Sequence, residues 1–302
     1  MSVKFSALLA AAVLAGCSAA FANDPREAPL ADDQKAFIDT CKAWDEWDKP
    51  APPFKVHGDT YYVGTCGISA ILIRGDAGHV LIDTGTETGA DAVIANIRTL
   101  GVDPQDIELL LYSHEHFDHV GGMAKTAELT GGKLIASKPA AAVFFTGQDH
   151  PEDPQYGMHD PMHPVVPERH IESGETETLG NITVTAIATP GHTPGALSWR
   201  WQSCEEDDCK TIVYADSLSP VSSDSYRFSD HPAYLANYRK GLSRLAAIDC
   251  DVLMTPHPSA SRMIARMRAG KLVGGMDCSE YATQIMERLD RRLTDESAEP
   301  AE

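Results

Sequence analysis

Three histidines and two acidic residues lie within six consecutive positions, His114 to His119, in the stretch LLLYSHEHFDHVGG. His114 and His116 are two residues apart, so in extended backbone their side chains point to the same side and can bind one metal ion. The adjacent Asp118 and His119 cannot easily converge with both of those histidines on a single ion. The spacing therefore predicts two metal ions at this position.

Two further histidines follow predicted strands in the same manner. His192 lies in IATPGHTPG, between two Pro-Gly turns, and His257 lies in LMTPHPS. Ligand sites commonly lie beyond the carboxyl ends of strands, so both side chains are candidates for the same site. Nitrogen and oxygen ligands without a thiolate favour zinc, held with open positions for water. The candidate ligands are His114, His116, Asp118, His119, His192 and His257.

The elements that must position these residues can be read from hydrophobic patterns. FKVHGDTYYVG, SAILIRG and HVLIDTG predict strands, ETGADAVIANIRTLG predicts a helix, and IELLLYS predicts a buried strand directly before the histidine cluster. Residues 146–171 contain five prolines and four histidines without periodicity, and so long a loop is usually functional or mobile. Strands followed by helices, twice along the chain, predict a layered α/β or α+β domain with paired sheets.

The overall composition limits the classes of partner. The chain has 302 residues, 43% hydrophobic residues and a formal net charge of −19. Its apolar content is ample for a core, and its length fits one large domain or two small ones. An acidic protein has no electrostatic reason to bind nucleic acid or anionic lipid. We therefore expect a small-molecule or neutral partner. We also expect a monomer.

Residues 1–22 are typical of an export signal. Lys4 supplies a positive start, and FSALLAAAVLAG supplies an apolar stretch too short to span a bilayer. AFA before Asn23 fits a signal-peptidase site, whereas LAGC, ending at Cys17, resembles the lipobox of bacterial lipoproteins and would leave a lipid anchor on Cys17. Both alternatives predict a periplasmic protein, and no later apolar run could span a membrane.

Six cysteines remain after the signal, an even number that predicts disulfides in an exported chain. Cys204 and Cys209 face each other in two predicted strands around a short acidic turn. The others pair most simply by proximity, Cys41 with Cys66 and Cys250 with Cys278. The alternative is six buried free thiols.

The motifs HEHFDH, PGHTPG and TPHP resemble the metallo-β-lactamase superfamily over nearly the whole mature chain, as does LIDTG with Asp83. The all-histidine triad, the segments YADSLS and TPHPSAS, and the cysteines resemble subclass B3, including its members with three disulfides. The resemblance implies an α+β fold, an αββα sandwich with two β-sheets between helical layers and zinc in the cleft between the sheets. We accordingly divide the chain into a signal peptide (1–22), an N-terminal arm (23–53), the metallo-β-lactamase domain (54–295) and an acidic tail (296–302).

Matched residue by residue, the resemblance divides the ligands between two zinc ions: His114, His116 and His192 hold the first, and Asp118, His119 and His257 hold the second. It gives Asp118 a catalytic role in orienting the nucleophile, and it makes Ser217 and Ser219 contacts of the substrate carboxylate. Glu115 is interpreted as lying behind the ligands or facing solvent, and Asp83 as structural. The remaining histidines of the long loop are interpreted as rim residues: His150, His159, His163 and His170.

These implications predict an exported zinc-dependent β-lactamase that opens penicillin, cephalosporin and carbapenem rings without a covalent acyl-enzyme and so confers antibiotic resistance. One alternative is a lactonase- or glyoxalase-like dizinc hydrolase of the same superfamily, in which an aspartate near the position of Asp216 bridges the metals. The other alternative is a cell-envelope zinc-binding protein without turnover.

Overall fold

The structure is a computed structural model, and it describes residues 30–298. The predicted signal peptide with Cys17, the start of the predicted arm and residues 299–302 lie outside the described residues. None of the helices in the described part of the chain combines the length and the apolar character that a membrane span requires.

The first sheet has seven strands in sequence order. They are β1 (Phe54–His57), β2 (Thr60–Tyr62), β3 (Ile71–Ile73), β4 (His79–Ile82), β5 (Ile107–Leu111), β6 (Lys133–Ala136) and β7 (Arg169–His170). The first four strands pair antiparallel, and the pairs from β4 to β7 are parallel. Strand β5, which leads to the histidine cluster, lies inside the sheet and is buried except at Glu108.

The second sheet has five strands in the order β12-β11-β10-β9-β8. Their bounds are β8 (Thr176–Leu179), β9 (Ile182–Ala188), β10 (Leu197–Glu205), β11 (Asp208–Tyr214) and β12 (Val252–Met254). Only the β11–β12 pair is parallel among these described strands.

Eight α-helices and two short 3₁₀ turns connect or cover the strands of the described chain. The helices are α1 (Asp32–Thr40), α2 (Gly89–Thr99), α3 (Phe117–Val120), α4 (Met123–Thr130), α5 (Lys138–Thr146), α6 (Pro232–Ala246), α7 (Met263–Arg268) and α8 (Cys278–Ala298). The 3₁₀ turns are Pro104–Asp106 and Phe228–Asp230.

Alternating side chains of the second sheet divide the core into two layers. Ile212 packs in the large cluster shared with the first sheet, whereas the next residue, Val213, packs in a second cluster with residues of α6 and α8. This alternation follows from the two-residue period of a strand, which turns successive side chains to opposite faces. Both sheets are mixed and helices flank them, so the predicted αββα, α+β sandwich is confirmed.

The segment predicted as an N-terminal arm is in part a component of the core, which corrects the prediction. It contains α1, whose Phe37 is fully buried and packs edge-on against Phe54 and Tyr62 with ring centroids 4.9 and 5.0 Å away. The disulfide from Cys41 to Cys66 ties the end of this helix to the first sheet. The folded domain therefore includes residues N-terminal to position 54.

The predicted acidic tail also begins too early. Helix α8 continues through Glu296, which is buried and accepts hydrogen bonds from the backbone N–H groups of Phe228 and Ser229. Arg292, one helical turn earlier, donates to the same carboxylate at 2.9 Å. Burial of a carboxylate requires such partners, and here they fasten the helix end to the neighbouring turn.

The three predicted disulfides, Cys41–Cys66, Cys204–Cys209 and Cys250–Cys278, are present in the structure. Cys204 and Cys209 occupy directly opposed positions in the β10–β11 ladder. Proximity in sequence was a sufficient guide here because each bridge closes a loop of modest length.

Candidate metal centre

The predicted ligands follow three strands of the sandwich. The stretch from His114 to His119 begins three residues after the end of β5 and leads into α3, while His192 follows β9 and His257 follows β12. The structure therefore brings together residues that are widely separated in sequence, at the carboxyl ends of strands from both sheets.

Asp83, at the end of β4, anchors the strand end from which the histidine stretch starts. Its carboxylate accepts hydrogen bonds from the backbone N–H and the hydroxyl of Ser113, each at 2.7 Å. Tyr214, at the end of β11 in the other sheet, donates to the same carboxylate at 2.7 Å. These contacts support the structural interpretation of Asp83, since one buried side chain joins the two sheets beside the site.

The first set of donors consists of three histidines. The ring centroids of His114, His116 and His192 lie 4.7 to 5.0 Å apart, and one nitrogen of each ring lies within 4.8 Å of the others. All three side chains are buried. Among the described residues, His114 Nε2 has no hydrogen-bond partner, which is costly for a buried polar atom unless something else binds it.

The second set of donors converges more tightly. Asp118 Oδ2 lies 3.0 Å from His119 Nε2 and 3.4 Å from His257 Nε2, and the two nitrogens lie 3.3 Å apart. Ligands held at the usual zinc distances in a tetrahedron lie about 3.3 Å from one another. The spacing of this set therefore fits a tetrahedral zinc ion. The two sets adjoin, because the rings of His114 and His119 have centroids 4.2 Å apart.

An oxygen atom lies behind each histidine of the first set. Asp216 Oδ1 lies 2.9 Å from His114 Nδ1, His116 Nε2 donates to Asp153 Oδ2 at 2.9 Å, and His192 Nδ1 donates to the carbonyl oxygen of Ser219 at 3.0 Å. Contacts of this kind orient metal-binding imidazoles and leave the opposite nitrogen free for the ion.

The protonation states also suit a metal ion. Burial lowers the pKa of His114 well below its usual value, that of His119 to about 4 and that of His192 to about 3. Burial opposes ionisation of Asp118, but His119 and His257 outweigh it and hold the pKa of this carboxyl well below its usual value. Metal binding requires neutral imidazoles and an ionised carboxylate, which is the state of these four side chains. At His116 burial opposes protonation, but the Asp153 carboxylate outweighs it and raises the pKa of this histidine.

Glu115 is buried rather than exposed to solvent, so it belongs behind the ligands. It is 2% exposed, and its two carboxylate oxygens accept hydrogen bonds from the Thr193 hydroxyl at 2.6 Å and the Gly195 N–H at 2.7 Å. Glu115 separates two ligands in sequence, and Thr193 follows His192 directly. This carboxylate therefore links two of the loops that carry the first donor set.

We expect Glu115→Ala to weaken zinc binding by the first donor set about 10- to 100-fold, the usual effect of losing a side chain that supports ligands. Glu115→Gln should retain part of the affinity, since its amide oxygen can still accept from Gly195 and its NH₂ can donate to Thr193. Zinc titration against a chromophoric chelator measures both variants. Equal affinity of Glu115→Ala and the parent protein would contradict this role.

Ser219 lies next to the first donor set, and Ser217 lies two residues before Ser219 in the chain. Ser217 is buried, and its hydroxyl has no hydrogen-bond partner among the described residues. The Ser219 hydroxyl lies 3.1 Å from His192 Nδ1. A buried hydroxyl without a partner is available to a ligand, which is consistent with a role in substrate binding.

Sequence reasoning missed Asp153, Gln155 and Trp47. Asp153 and Gln155 come from the irregular loop, and the Gln155 amide nitrogen lies 3.5 Å from His192 Nε2. The Trp47 ring packs edge-on against Phe117, 5.6 Å away, and lies 6.2 Å from the ring of His257. An acid, an amide and a tryptophan in irregular segments carry no spacing signal, so only the folded chain identifies them.

The long loop forms one rim of the cleft. The His159 ring lies against His116 with centroids 4.3 Å apart, which agrees with its interpretation as a rim residue. Tyr156 and Met158, in the same loop, are 60% and 53% exposed. Trp47, beside Phe117 and His257, gives the site an apolar edge.

A family model described as the metallo-beta-lactamase superfamily matches residues 63–257. This range contains the six candidate ligands and both sheets from the end of β2 onward.

Solved structures with the same fold match most of the chain. MIM-2 metallo-beta-lactamase is 52% identical, with a TM-score of 0.84 over 88% of this chain and 99% of that one. MIM-1 from Novosphingobium pentaromativorans is 43% identical, with a TM-score of 0.85 over 88% of this chain and 100% of that one. MEM-A1, a subclass B3 metallo-beta-lactamase from a soil metagenome library, is 40% identical, with a TM-score of 0.80 over 84% of this chain and 100% of that one.

Proposed function

The chain belongs to the metallo-β-lactamase superfamily, and from this premise we propose that it is an exported β-lactamase of the B3 type that uses two zinc ions. Its substrates are penicillins, cephalosporins and carbapenems, whose lactam rings it opens by hydrolysis, so that it confers antibiotic resistance. The similarity to MIM-2, MIM-1 and MEM-A1 over nearly their whole length supports this substrate class.

The observation that carries the proposal is the convergence of two adjoining donor sets in one cleft. The second set has the ligand spacing of a tetrahedral ion, and the first contains a buried nitrogen without a partner among the described residues. We assign His114, His116 and His192 to one zinc and Asp118, His119 and His257 to the other. Zinc held there would supply Lewis-acid polarisation of the lactam carbonyl and lower the pKa of a water molecule toward neutrality.

The chain's own residues bind and orient the reactants. Asp118 directs Oδ2 toward His119 and His257, so its other oxygen can accept a hydrogen bond from the attacking water and orient it. The Ser217 and Ser219 hydroxyls donate to the substrate carboxylate, and Trp47 offers an apolar contact beside His257. Because the nucleophile is water, the reaction needs no covalent acyl-enzyme.

Asp216 argues against the lactonase- or glyoxalase-like alternative. Its Oδ1 faces His114 Nδ1, the ring nitrogen opposite the free Nε2, and its Oδ2 accepts a hydrogen bond from the backbone of Leu218 at 3.0 Å. Both oxygens are therefore directed behind His114 and not between the donor sets. A bridging aspartate would need its carboxylate to face both ions.

Substrate turnover tests the proposal directly. Purified protein should hydrolyse a penicillin, a cephalosporin and a carbapenem much faster than a lactone or a glutathione thioester. A preference for the lactone or thioester would favour the related hydrolases. No turnover of any of these substrates by zinc-loaded protein would favour the non-catalytic zinc-binding protein.

Replacing both Ser217 and Ser219 with alanine should raise KM for β-lactams about 10- to 100-fold for each hydroxyl lost, because a hydrogen bond to a charged group contributes about 1.5–3 kcal/mol. The effect should fall mainly on KM, since hydroxyls that hold a carboxylate act in the ground state and the transition state alike. Zinc content should not change. Ser225→Ala, at an exposed position of the same segment, is the matched control. An unchanged KM in the double variant would contradict the assignment.

The N-terminal sequence supports export to the periplasm, either as a soluble protein after cleavage before Asn23 or with a lipid on Cys17. The mature protein acts as a monomer. Mass spectrometry of the mature N-terminus distinguishes the two processing routes, and light scattering measures the oligomeric state.

A further inference from the structure

Arg266, in α7, is a buried cation outside the donor sets. It is 7% exposed, and no carboxylate of the described residues lies within salt-bridge distance of it. Burial lowers the pKa of its guanidinium to about 10. Removing a charge from water without an opposite charge is costly, so its hydrogen bonds must stabilise a specific conformation.

The guanidinium binds only neutral oxygens. Its Nε donates to the carbonyl of Ser261 at 2.9 Å, and its Nη2 donates to the carbonyl of Leu253 at 2.7 Å and to the Ser261 hydroxyl at 3.1 Å. Leu253 lies in β12, and Ser261 lies in the loop between β12 and α7. Arg266 therefore connects both ends of the loop that carries His257.

A chain of hydroxyls continues from Arg266 to His257. The Ser261 and Thr255 hydroxyl oxygens lie 2.9 Å apart, and the Thr255 hydroxyl donates to the carbonyl of His257 at 2.8 Å. Since Thr255 has one hydroxyl proton and gives it to that carbonyl, Ser261 donates to Thr255 and accepts from Arg266. All the bonds then run in one direction, and each polarises the next.

The segment between β2 and β3 of the first sheet holds the opposite side of this loop. The Ser69 N–H donates to the carbonyl of Pro256 at 2.7 Å, and the Ser69 hydroxyl donates to the carbonyl of Thr255 at 2.8 Å. The loop is thus fixed from two sides, and only the Arg266 side is charged.

We propose that Arg266 is a positioning residue that holds His257 where the second zinc ion requires it. This inference rests on the proposed function, because it needs the second zinc. The first donor set comes from β5 and β9, and its supporting oxygens belong to Asp153, Asp216 and Ser219. None of these residues forms a hydrogen bond with Arg266 in the described part of the chain. Loss of Arg266 should therefore weaken the second site alone.

The test titrates metal-free protein with zinc in competition with a chromophoric chelator, which gives the two binding constants without measuring turnover. The parent protein should bind two ions. Arg266→Met should bind the second zinc about 10- to 100-fold more weakly, the range for loss of a group that supports ligands, and leave the first constant unchanged. Arg266→Lys should fall between them, because an ammonium cannot reproduce the planar fork of donors. Arg268→Met, at an exposed position of the same helix, is the control.

Ser261→Ala provides a second variant that keeps the buried charge and interrupts the hydroxyl chain. It should weaken the second site in the same direction and by a smaller factor, even if Arg266→Met fails to fold. If Arg266→Met weakened zinc binding equally at both sites, Arg266 would act only on the general stability of the protein, which would overturn the inference. Unchanged binding constants in both Arg266→Met and Ser261→Ala would also overturn it. A parent protein that binds a single zinc would instead overturn the two-zinc function on which the inference depends.

Discussion

Removal of the metal with a strong chelator should lower hydrolysis of a chromogenic cephalosporin by about 10³-fold or more, and added zinc should restore it. The basis is the site itself, where buried neutral histidines and an ionised aspartate line the cleft. A metal ion contributes several kcal/mol to such a reaction, and each 1.4 kcal/mol or so corresponds to a factor of ten in rate. The hydrolysis rate before chelation, after chelation and after zinc addition measures the effect.

A mass measurement provides the control for this result. An inhibitor that acylates the serine of other β-lactamases should leave the mass of this protein unchanged, because water is the nucleophile in the proposed reaction. Hydrolysis that resists the chelator, or stoichiometric inactivation with a mass increase on one serine, would contradict the mechanism.

The proposed ligand set could be read from the sequence because its members combine close spacing with a repeated position after strands. His114, His116, Asp118 and His119 lie within six consecutive residues, and the structure places His192 and His257 after strands as expected. The strands themselves were visible as short apolar runs between glycine and aspartate. These signals are local, and a sequence contains them without knowledge of the fold.

The side chains that orient the ligands could not be predicted, because their roles arise from contacts across the fold. Asp153 meets His116 over 37 positions, and Glu115 meets Gly195 over 80 positions. Arg266 resembles any other charged residue of a short helix until its burial is known. Charge and hydrogen-bonding capacity were visible in the sequence, but the partners were not.

The misplaced domain boundaries have a related cause. The segments before position 54 and after position 295 are polar, and polarity predicted an arm and a tail. In the structure the first segment contributes Phe37 and Cys41 to the core, with Cys41 bonded to Cys66, and the second contributes Glu296, which is bonded at the turn before α6. One or two buried residues in a segment give too weak a pattern to outweigh a polar composition.

Asp118→Asn should lower kcat/KM for β-lactams about 10²- to 10⁴-fold, the usual contribution of a side chain that positions and accepts a proton in catalysis. The amide has nearly the same size, so packing should be preserved. It is neutral, however, and Asp118 Oδ2 is the anionic member of the second donor set, 3.0 Å from His119 Nε2. The substitution therefore removes the charge that favours the second zinc, and the single amide oxygen that remains cannot serve both the zinc and the attacking water.

Zinc titration separates these two effects. Where Asp118→Asn still binds two zinc ions at saturating metal, the remaining loss in rate measures the orientation of water alone, and we expect that loss to persist. Asp160→Asn, in the exposed part of the long loop, should keep the parental rate and zinc content. A fully loaded Asp118→Asn protein with the parental rate would show that the aspartate acts only as a ligand, and would remove its catalytic role from the proposed reaction.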